Sequence, residues 1–279
     1  MNIKINKQEV GIGCPPYIVA ELSANHGGSI DVAKETILSA KKNGADAIKL
    51  QTYTPDSMTI NCNNEDFIVG NGLWKDRNLY DLYKEAYTPY EWHKELFDFA
   101  NENEITCFST PFDESAVDLL EDIDVPVYKI ASFELTDTIL VQRIAQTKKP
   151  VILSTGMASL EEISKTVDTL KQNGNTDLII LHCVSGYPTS AKDANLRTMI
   201  DLKDKFNCLV GLSDHTMSIS TSLGAVSLGA VLIEKHYIID RNSGGPDSSF
   251  SMEPKDLRFL KDSCTEAWQA LGRVNYELK

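Results

Sequence analysis

Two lysines stand inside apolar, strand-like runs of this sequence, Lys49 in DAIKLQT (46–52) and Lys129 in VYKIAS (127–132). A charge inside such a run needs a partner or a task, because burying it unpaired is costly. Hydroxyl residues recur where neighbouring runs end, at Ser109-Thr110, Ser132, Ser154-Thr155 and Ser213. Ammonium groups neutralise an oxyanion while hydroxyls and loop amides donate to it, so the set reads as a phosphate-type anion cradle. The same lysines have two other possible employments. They can pair with carboxylates such as Glu21 and Glu234, or one of them, desolvated, can act as a Schiff-base nucleophile.

A second constellation is histidine-based. His215 follows the run CLVGLS (208–213), and His236 lies in VLIEKHY (231–237). Side chains alternate along a strand, so Glu234 and His236 share one face, as Lys49 and Gln51 do. Neighbouring strands are roughly 4.8 Å apart, which lets both imidazoles reach one ion. Two histidines with open positions suit Mn²⁺, Zn²⁺ or Fe²⁺, while hydrogen-bonded structure or acid–base work would use the same pair without further ligands. Four of the five histidines, His26, His182, His215 and His236, fall near run ends, whereas His93 sits in the helical stretch WHKELF and reads as structural. After the last run, RNSGGPDSSFSMEP places Asp247 behind Gly244, Gly245 and Pro246, a turn that presents a carboxylate or simply turns.

These residues need elements to position them. Eight β-branched runs occur: YIVAEL (17–22), 46–52, ITCFST (105–110), 127–132, PVILST (150–155), DLIILHC (177–183), 208–213 and 231–237. Helical periodicity follows each, over 32–43, 89–103, 115–122, 138–148, 160–173, 196–206, 219–228 and 254–271. Eight alternating pairs predict an α/β fold, a single (β/α)8 TIM barrel over 17–279, which needs roughly 250 residues. An open doubly wound sheet is the competitor, but SANHGGS after the first run lacks the GxGxxG spacing. Residues 1–16 alternate weakly and predict a short β-hairpin closing the barrel floor. Ser159 with Glu162 forms a capping-box pattern, and Pro254 suits a first helical turn. The long interruption Tyr53–Thr88 has the length of a lid or binding loop, or of a surface excursion. In this fold chemistry sits at the strand ends, where Glu21, Lys49, Gln51, Thr110, Lys129, Ser132, Ser154, Ser213, His215 and His236 all fall.

Composition bounds the partners. With 27 Lys and Arg against 40 Asp and Glu, the 279-residue chain carries a formal charge of -13, which opposes binding to nucleic acid or anionic membrane. An anionic ligand must therefore find a locally positive pocket. The opening MNIKINKQEV has no apolar signal core and no run approaches the roughly 18 apolar residues of a membrane span, so a soluble cytoplasmic protein is expected. Six cysteines without a CxxC pair read as free thiols, mostly buried.

Taken in order, AELSANHGGS, IKLQTYTPDS, FSTPFD, YKIASFEL, ILSTGMASLEE, VGLSDHT and EKHYIIDRNSGGPDSSFS resemble the sialic acid synthase family from about Tyr17 to Leu271. SANHGG, EAYTPYEWHKELF and GGPDSSFS look closest to its pseudaminic acid branch. The resemblance implies a transferase that condenses phosphoenolpyruvate with an open-chain acetamido-sugar aldehyde and water. The product would be a nine-carbon 2-keto acid, with release of phosphate. For that branch the sugar is 2,4-diacetamido-2,4,6-trideoxy-altrose; the N-acetylneuraminate and legionaminate branches are alternatives, as is a non-catalytic or split-enzyme barrel. It further implies that Lys49, Thr110, Lys129, Ser132, Ser154 and Ser213 hold phosphoenolpyruvate with Gln51 nearby. His215 and His236 would bind Mn²⁺ or Mg²⁺, and Glu21, Tyr187 and Asp247 would face the sugar, Glu21 also orienting or deprotonating a reacting group. The chain departs from many N-acetylneuraminate synthases at Ser185-Gly186-Tyr187-Pro188, where they carry an asparagine. A C-terminal antifreeze-like domain, usual in the family, is expected to be absent from this chain, and to act through a homodimer or as a separate partner.

Overall fold

A computed structural model describes residues 1–277 of the chain. Strands β3 (Tyr17–Glu21), β4 (Ala47–Thr52), β5 (Thr106–Pro111), β6 (Tyr128–Ile130), β7 (Val151–Ser154), β8 (Leu178–Cys183), β9 (Leu209–Ser213) and β10 (Leu232–His236) close into a parallel barrel, with β10 beside β3. All eight expected runs are strands. The largest change is at β6, expected over 127–132, which leaves the sheet after Ile130 and turns into a short 3-10 segment, Glu134–Thr136. That early exit brings Ser132, Phe133 and Glu134 onto the mouth.

The strands are buried on both faces, inward by the barrel and outward by a helical ring, which is why they read as continuous apolar runs. The helices are α1 (Ile30–Lys42), α4 (Tyr90–Glu102), α5 (Glu114–Asp122), α6 (Thr138–Gln146), α7 (Leu160–Gln172), α8 (Arg197–Phe206), α9 (Ser220–Ser227) and α10 (Pro254–Leu271). Each buries one stripe; α7 buries Ile163, Thr166, Val167 and Leu170. Its start is the expected capping box, with Ser159 Oγ accepting from the Glu162 amide and Glu162 accepting from the Ser159 amide. Pro254 opens α10.

Strands β1 (Asn2–Ile5) and β2 (Gln8–Gly11) form the expected antiparallel hairpin. Ile3, Ile5 and Val10 from it are buried in the main core. Asn6 donates to Thr106 Oγ1 and Gln8 to Asp46 Oδ1, both at the N-terminal ends of barrel strands, so the hairpin covers the floor. The opposite end is left for the site. Register relates the inward residues round the barrel in two adjacent layers: His236 is opposite Glu21, Glu21 opposite Lys49, Gln51 opposite Thr110, and Ser213 opposite Glu234.

The interruption after β4 folds as α2 (Pro55–Met58), a 3-10 turn (Glu65–Phe67) and α3 (Leu79–Ala86), lying over the mouth. Cys107, Cys183, Cys208 and Cys264 are buried and Cys14 and Cys62 partly so, all as free thiols. Among the described residues, no helix is long and apolar enough to cross a membrane.

Candidate active site

Lys49 projects from the middle of β4 into the barrel, where its ammonium lies 2.9 Å from Glu234 Oε2 and 3.2 Å from Glu21 Oε2. Gln51, two residues on along the same face, donates to Glu21 Oε1 at 2.9 Å, and Ser213 Oγ donates to Glu234 Oε1 at 2.9 Å. Two carboxylates thus share one lysine in a site nearly closed to solvent. Burial pushes the Glu21 carboxyl up to about 7; Lys49 offsets this and the Glu234 charge adds to it. Burial would raise Glu234 as well, but Lys129 and Lys49 outweigh it and hold that carboxyl low.

Lys129, across the barrel on β6, pairs with hydroxyl and carbonyl oxygen instead of carboxylate: its ammonium donates to Ser154 Oγ at 2.7 Å and to the Ile130 carbonyl at 3.1 Å. Burial lowers its pKa to about 8, with the Lys49 charge adding and Glu234 opposing. Ser132 Oγ accepts from the Gly156 amide at 3.1 Å, and the Thr110 hydroxyl is buried without a partner. With Glu21 protonated, two ammonium charges face one carboxylate, a locally positive pocket in an acidic chain.

His215 and His236 stand side by side, ring centroids 5.5 Å apart. His215 Nδ1 meets the Val184 carbonyl at 2.9 Å, a contact that places its proton there and leaves Nε2 with a lone pair. His236 Nδ1 is buried without a hydrogen-bond partner, 3.7 Å from Asp247 Oδ2. Burial, then the His215 and Lys49 charges, hold His236 well below the usual histidine range and therefore neutral. Burial would lower the His215 pKa, but Cys183 and the Val184 carbonyl outweigh it and raise it. With His215 Nε2 deprotonated, the two imidazoles offer lone pairs that fit a divalent metal. No group of three or more His, Cys, Asp or Glu side chains forms a cage among the described residues, so other ligands would be water or substrate oxygens. Asp247 accepts from Ser23 Oγ at 2.5 Å, and burial raises its carboxyl pKa. The Tyr187 ring packs on His215 at a 41° tilt, with centroids 4.3 Å apart.

The mouth opens into a cavity of about 570 Å³ between the barrel and the insertion, lined by Gln51, His236 and Asp247 on one side and by Met58, Trp74 and Leu79 on the other. The interruption is therefore a cover for the site. Trp74 fastens it, its indole donating to the Pro246 carbonyl at 2.9 Å.

The sequence pattern of the NeuB family matches residues 36–276 of the chain. The chain belongs to the NeuB family. Among its relatives, pseudaminic acid synthase of Campylobacter jejuni subsp. jejuni serotype O:23/36 is 49% identical over 94% of this chain and 76% of that protein. Pseudaminic acid synthase of Helicobacter pylori is 44% identical over 92% of this chain and 76% of its own length. The crystal structure of an N-acetylneuraminic acid synthetase from Leptospira borgpetersenii superposes with a TM-score of 0.90 at 33% identity, covering 100% of this chain and 93% of that one. The family expected from the motifs is thus the family found.

In this NeuB barrel the structure gathers every expected site residue at the mouth, but it separates the histidines. His182 faces outward from β8 and bonds the Ala194 carbonyl at 2.7 Å; His26 packs its edge on Trp92 away from the cavity; His93 is bonded to Thr52 Oγ1 at 2.8 Å. Sequence reasoning missed Glu134, whose carboxyl lines the cavity with Oε2 unpartnered and is pushed up to about 7 by burial. Its place in YKIASFEL, just beyond a strand end, was the available signal. Ser23 was also missed. It adopts φ 47° and joins Gln51 to Asp247, which local sequence does not reveal. Cys183, facing inward with Sγ 3.9 Å from His215 Nδ1, is a third.

Proposed function

We propose that this NeuB chain condenses phosphoenolpyruvate with an open-chain acetamido-sugar aldehyde and water, giving a nine-carbon sialic-acid-like 2-keto acid and phosphate. The pseudaminic acid branch, with 2,4-diacetamido-2,4,6-trideoxy-altrose as the sugar, is the preferred reading because the named relatives of highest identity quoted above are pseudaminic acid synthases. The observation that carries the reading is the Lys49 ammonium held between Glu21 and Glu234, with Lys129 opposite and two histidines alongside.

In this reading Lys49 and Lys129 neutralise the phosphate and carboxylate of phosphoenolpyruvate, and Thr110, Ser132, Ser154 and Ser213 donate to its oxygens. Gln51 lies beside phosphoenolpyruvate, and Glu21, Tyr187 and Asp247 face the sugar at the foot of the cavity. His215 and His236 would hold Mn²⁺ or Mg²⁺, which when bound supplies Lewis-acid polarisation of the aldehyde oxygen. The enol carbon C3 of phosphoenolpyruvate attacks the aldehyde carbon, leaving positive charge at C2. Glu21, titrating near neutrality, takes a proton from the water that adds at C2, and that proton passes to the former aldehyde oxygen; the hemiketal hydroxyl proton later leaves with phosphate. The resulting tetrahedral hemiketal phosphate expels phosphate by carbon–oxygen cleavage. The low local dielectric strengthens each charge contact while the insertion limits water.

The test is phosphate release and product mass from phosphoenolpyruvate with a panel of acetamido aldoses, with Mn²⁺ and with chelator. Release that depends on both sugar and metal supports the reading, and the preferred sugar selects the branch. No release with any sugar counts against it. A Schiff-base lyase has one observation in its favour, the lowered pKa of Lys129; a borohydride-trapped adduct on Lys129 would select it. The reading places the enzyme in the cytoplasm, as a homodimer or with a separate antifreeze-like domain. Adding that domain in trans and measuring the sugar KM tests this.

A further inference from the structure

We propose that Asp214 and Lys235, an ion pair on the outer side of the barrel wall, are positioning residues that set the separation of His215 and His236. The inference rests on the two-histidine metal reading above.

Each partner is the chain neighbour of one histidine, Asp214 preceding His215 and Lys235 preceding His236. Because side chains alternate, residues that send the histidines inward send these two outward, behind the wall. There the Lys235 ammonium lies 3.1 Å from Asp214 Oδ2, with side chains 3% and 1% exposed. The same ammonium donates to the Thr216 carbonyl at 2.5 Å. Asp214 Oδ1 accepts from the Thr216 amide at 2.8 Å, and Oδ2 accepts from Ser222 Oγ at 2.6 Å. His215 is therefore the middle residue of a turn whose two ends are both tied to Lys235. The Asp214 amide also donates to the Glu234 carbonyl at 2.8 Å, which joins the two backbones directly.

Stability is a poor account of this arrangement. A buried ion pair is roughly neutral against apolar residues of similar volume, because desolvation offsets the attraction. Neither side chain borders the substrate cavity, so contact with substrate is not its role. What the pair does, geometrically, is hold the His215 turn against the strand that carries His236. The contacts of the pair run to Thr216 and Ser222 and not to either imidazole, so it acts through the backbone that carries the histidines.

The experiment compares the unmodified protein with the double variant Asp214→Asn/Lys235→Met, which removes both charges together. Mn²⁺ affinity is measured without substrate, by the electron paramagnetic resonance signal of free Mn²⁺, alongside denaturant unfolding and the phosphoenolpyruvate KM. The expected result is a folded protein whose Mn²⁺ affinity is weaker by about tenfold or more while the phosphoenolpyruvate KM stays within about twofold. A folded variant that binds Mn²⁺ within twofold of the unmodified protein overturns the proposal, as does lost stability with unchanged affinity, which would make the pair a staple for α9. If the double variant does not fold, Ser222→Ala carries the test, with an expected loss of about two- to fivefold in Mn²⁺ affinity and no change as the overturning result. Absence of Mn²⁺ binding by the unmodified protein, or equal binding by His215→Ala, overturns the two-histidine reading itself and is scored separately.

Discussion

Lys49 and Glu234 meet at 2.9 Å inside the barrel, on adjacent layers of strands β4 and β10 that share β3 as neighbour. Replacing Lys49 with Met leaves Glu234 unpaired in a site closed to water. The expected cost is about 3–5 kcal/mol of stability, at the lower end if Glu234 takes up a proton. Urea unfolding measures it, and phosphoenolpyruvate-dependent phosphate release should fall at least about a hundredfold.

Glu21 carries a pH prediction. Its carboxyl titrates at 4.5 in the unfolded chain and about 7 in the fold, so the folded state holds the proton more tightly. The stability this contributes is present in full below pH 4.5 and is lost as pH rises through about 7. Glu21→Gln abolishes that fall, and the variant should gain on the unmodified protein between pH 5 and pH 8 in parallel denaturation curves. The same variant should lose the acidic limb of the pH–rate profile near 7 and about 10²–10⁴ in rate.

His236→Ala removes one of two proposed metal contacts. Mn²⁺ affinity should weaken by more than about a hundredfold, and activity should return only at high metal concentration, read by titration after chelator treatment. His182→Asn, at an outward histidine, should leave Mn²⁺ affinity unchanged.

Trp74 fastens the cover through a single indole hydrogen bond to Pro246. Trp74→Phe keeps the aromatic surface against Tyr187 and deletes the donor. The sugar KM should rise about fivefold, equivalent to one net hydrogen bond, with the phosphoenolpyruvate KM within about twofold. Equal rises in both would point to general loosening of the mouth.

Ser159→Ala tests the structural assignment of a mouth-side serine. Loss of the cap on α7 should lower Tm by about 2–4 °C and leave kcat and both KM values unchanged. A fall in kcat would mean that Ser159 works at the site.

The barrel was legible because its signals are local. Strand alternation put Lys49 with Gln51 and Glu234 with His236 on single faces, and both pairs point inward. Helix starts at Ser159 and Pro254 were equally local, since a cap needs only residues within one turn. The strand-end rule then collected the lysines, hydroxyls and histidines of the mouth before any contact was seen.

What alternation could not decide was the absolute face. His182 obeys the same period as its neighbours but lies on the outward phase, because β8 is registered with Leu181 and Cys183 turned inward. Nor could the sequence choose between pairing modes, and the two lysines divide: Lys49 takes both carboxylates and Lys129 takes a hydroxyl. Those outcomes depend on distances across a closed barrel. The cover over the cavity, Trp74 to Pro246, and the Ser23–Asp247 bond join residues 172 and 224 positions apart. By itself the sequence determined the alternating elements and the chemistry carried at their ends, since periodicity and capping act within a few residues. Which of those groups touch was decided only by the tertiary structure, because ring closure and fold-back of the insertion bring distant backbone segments into register.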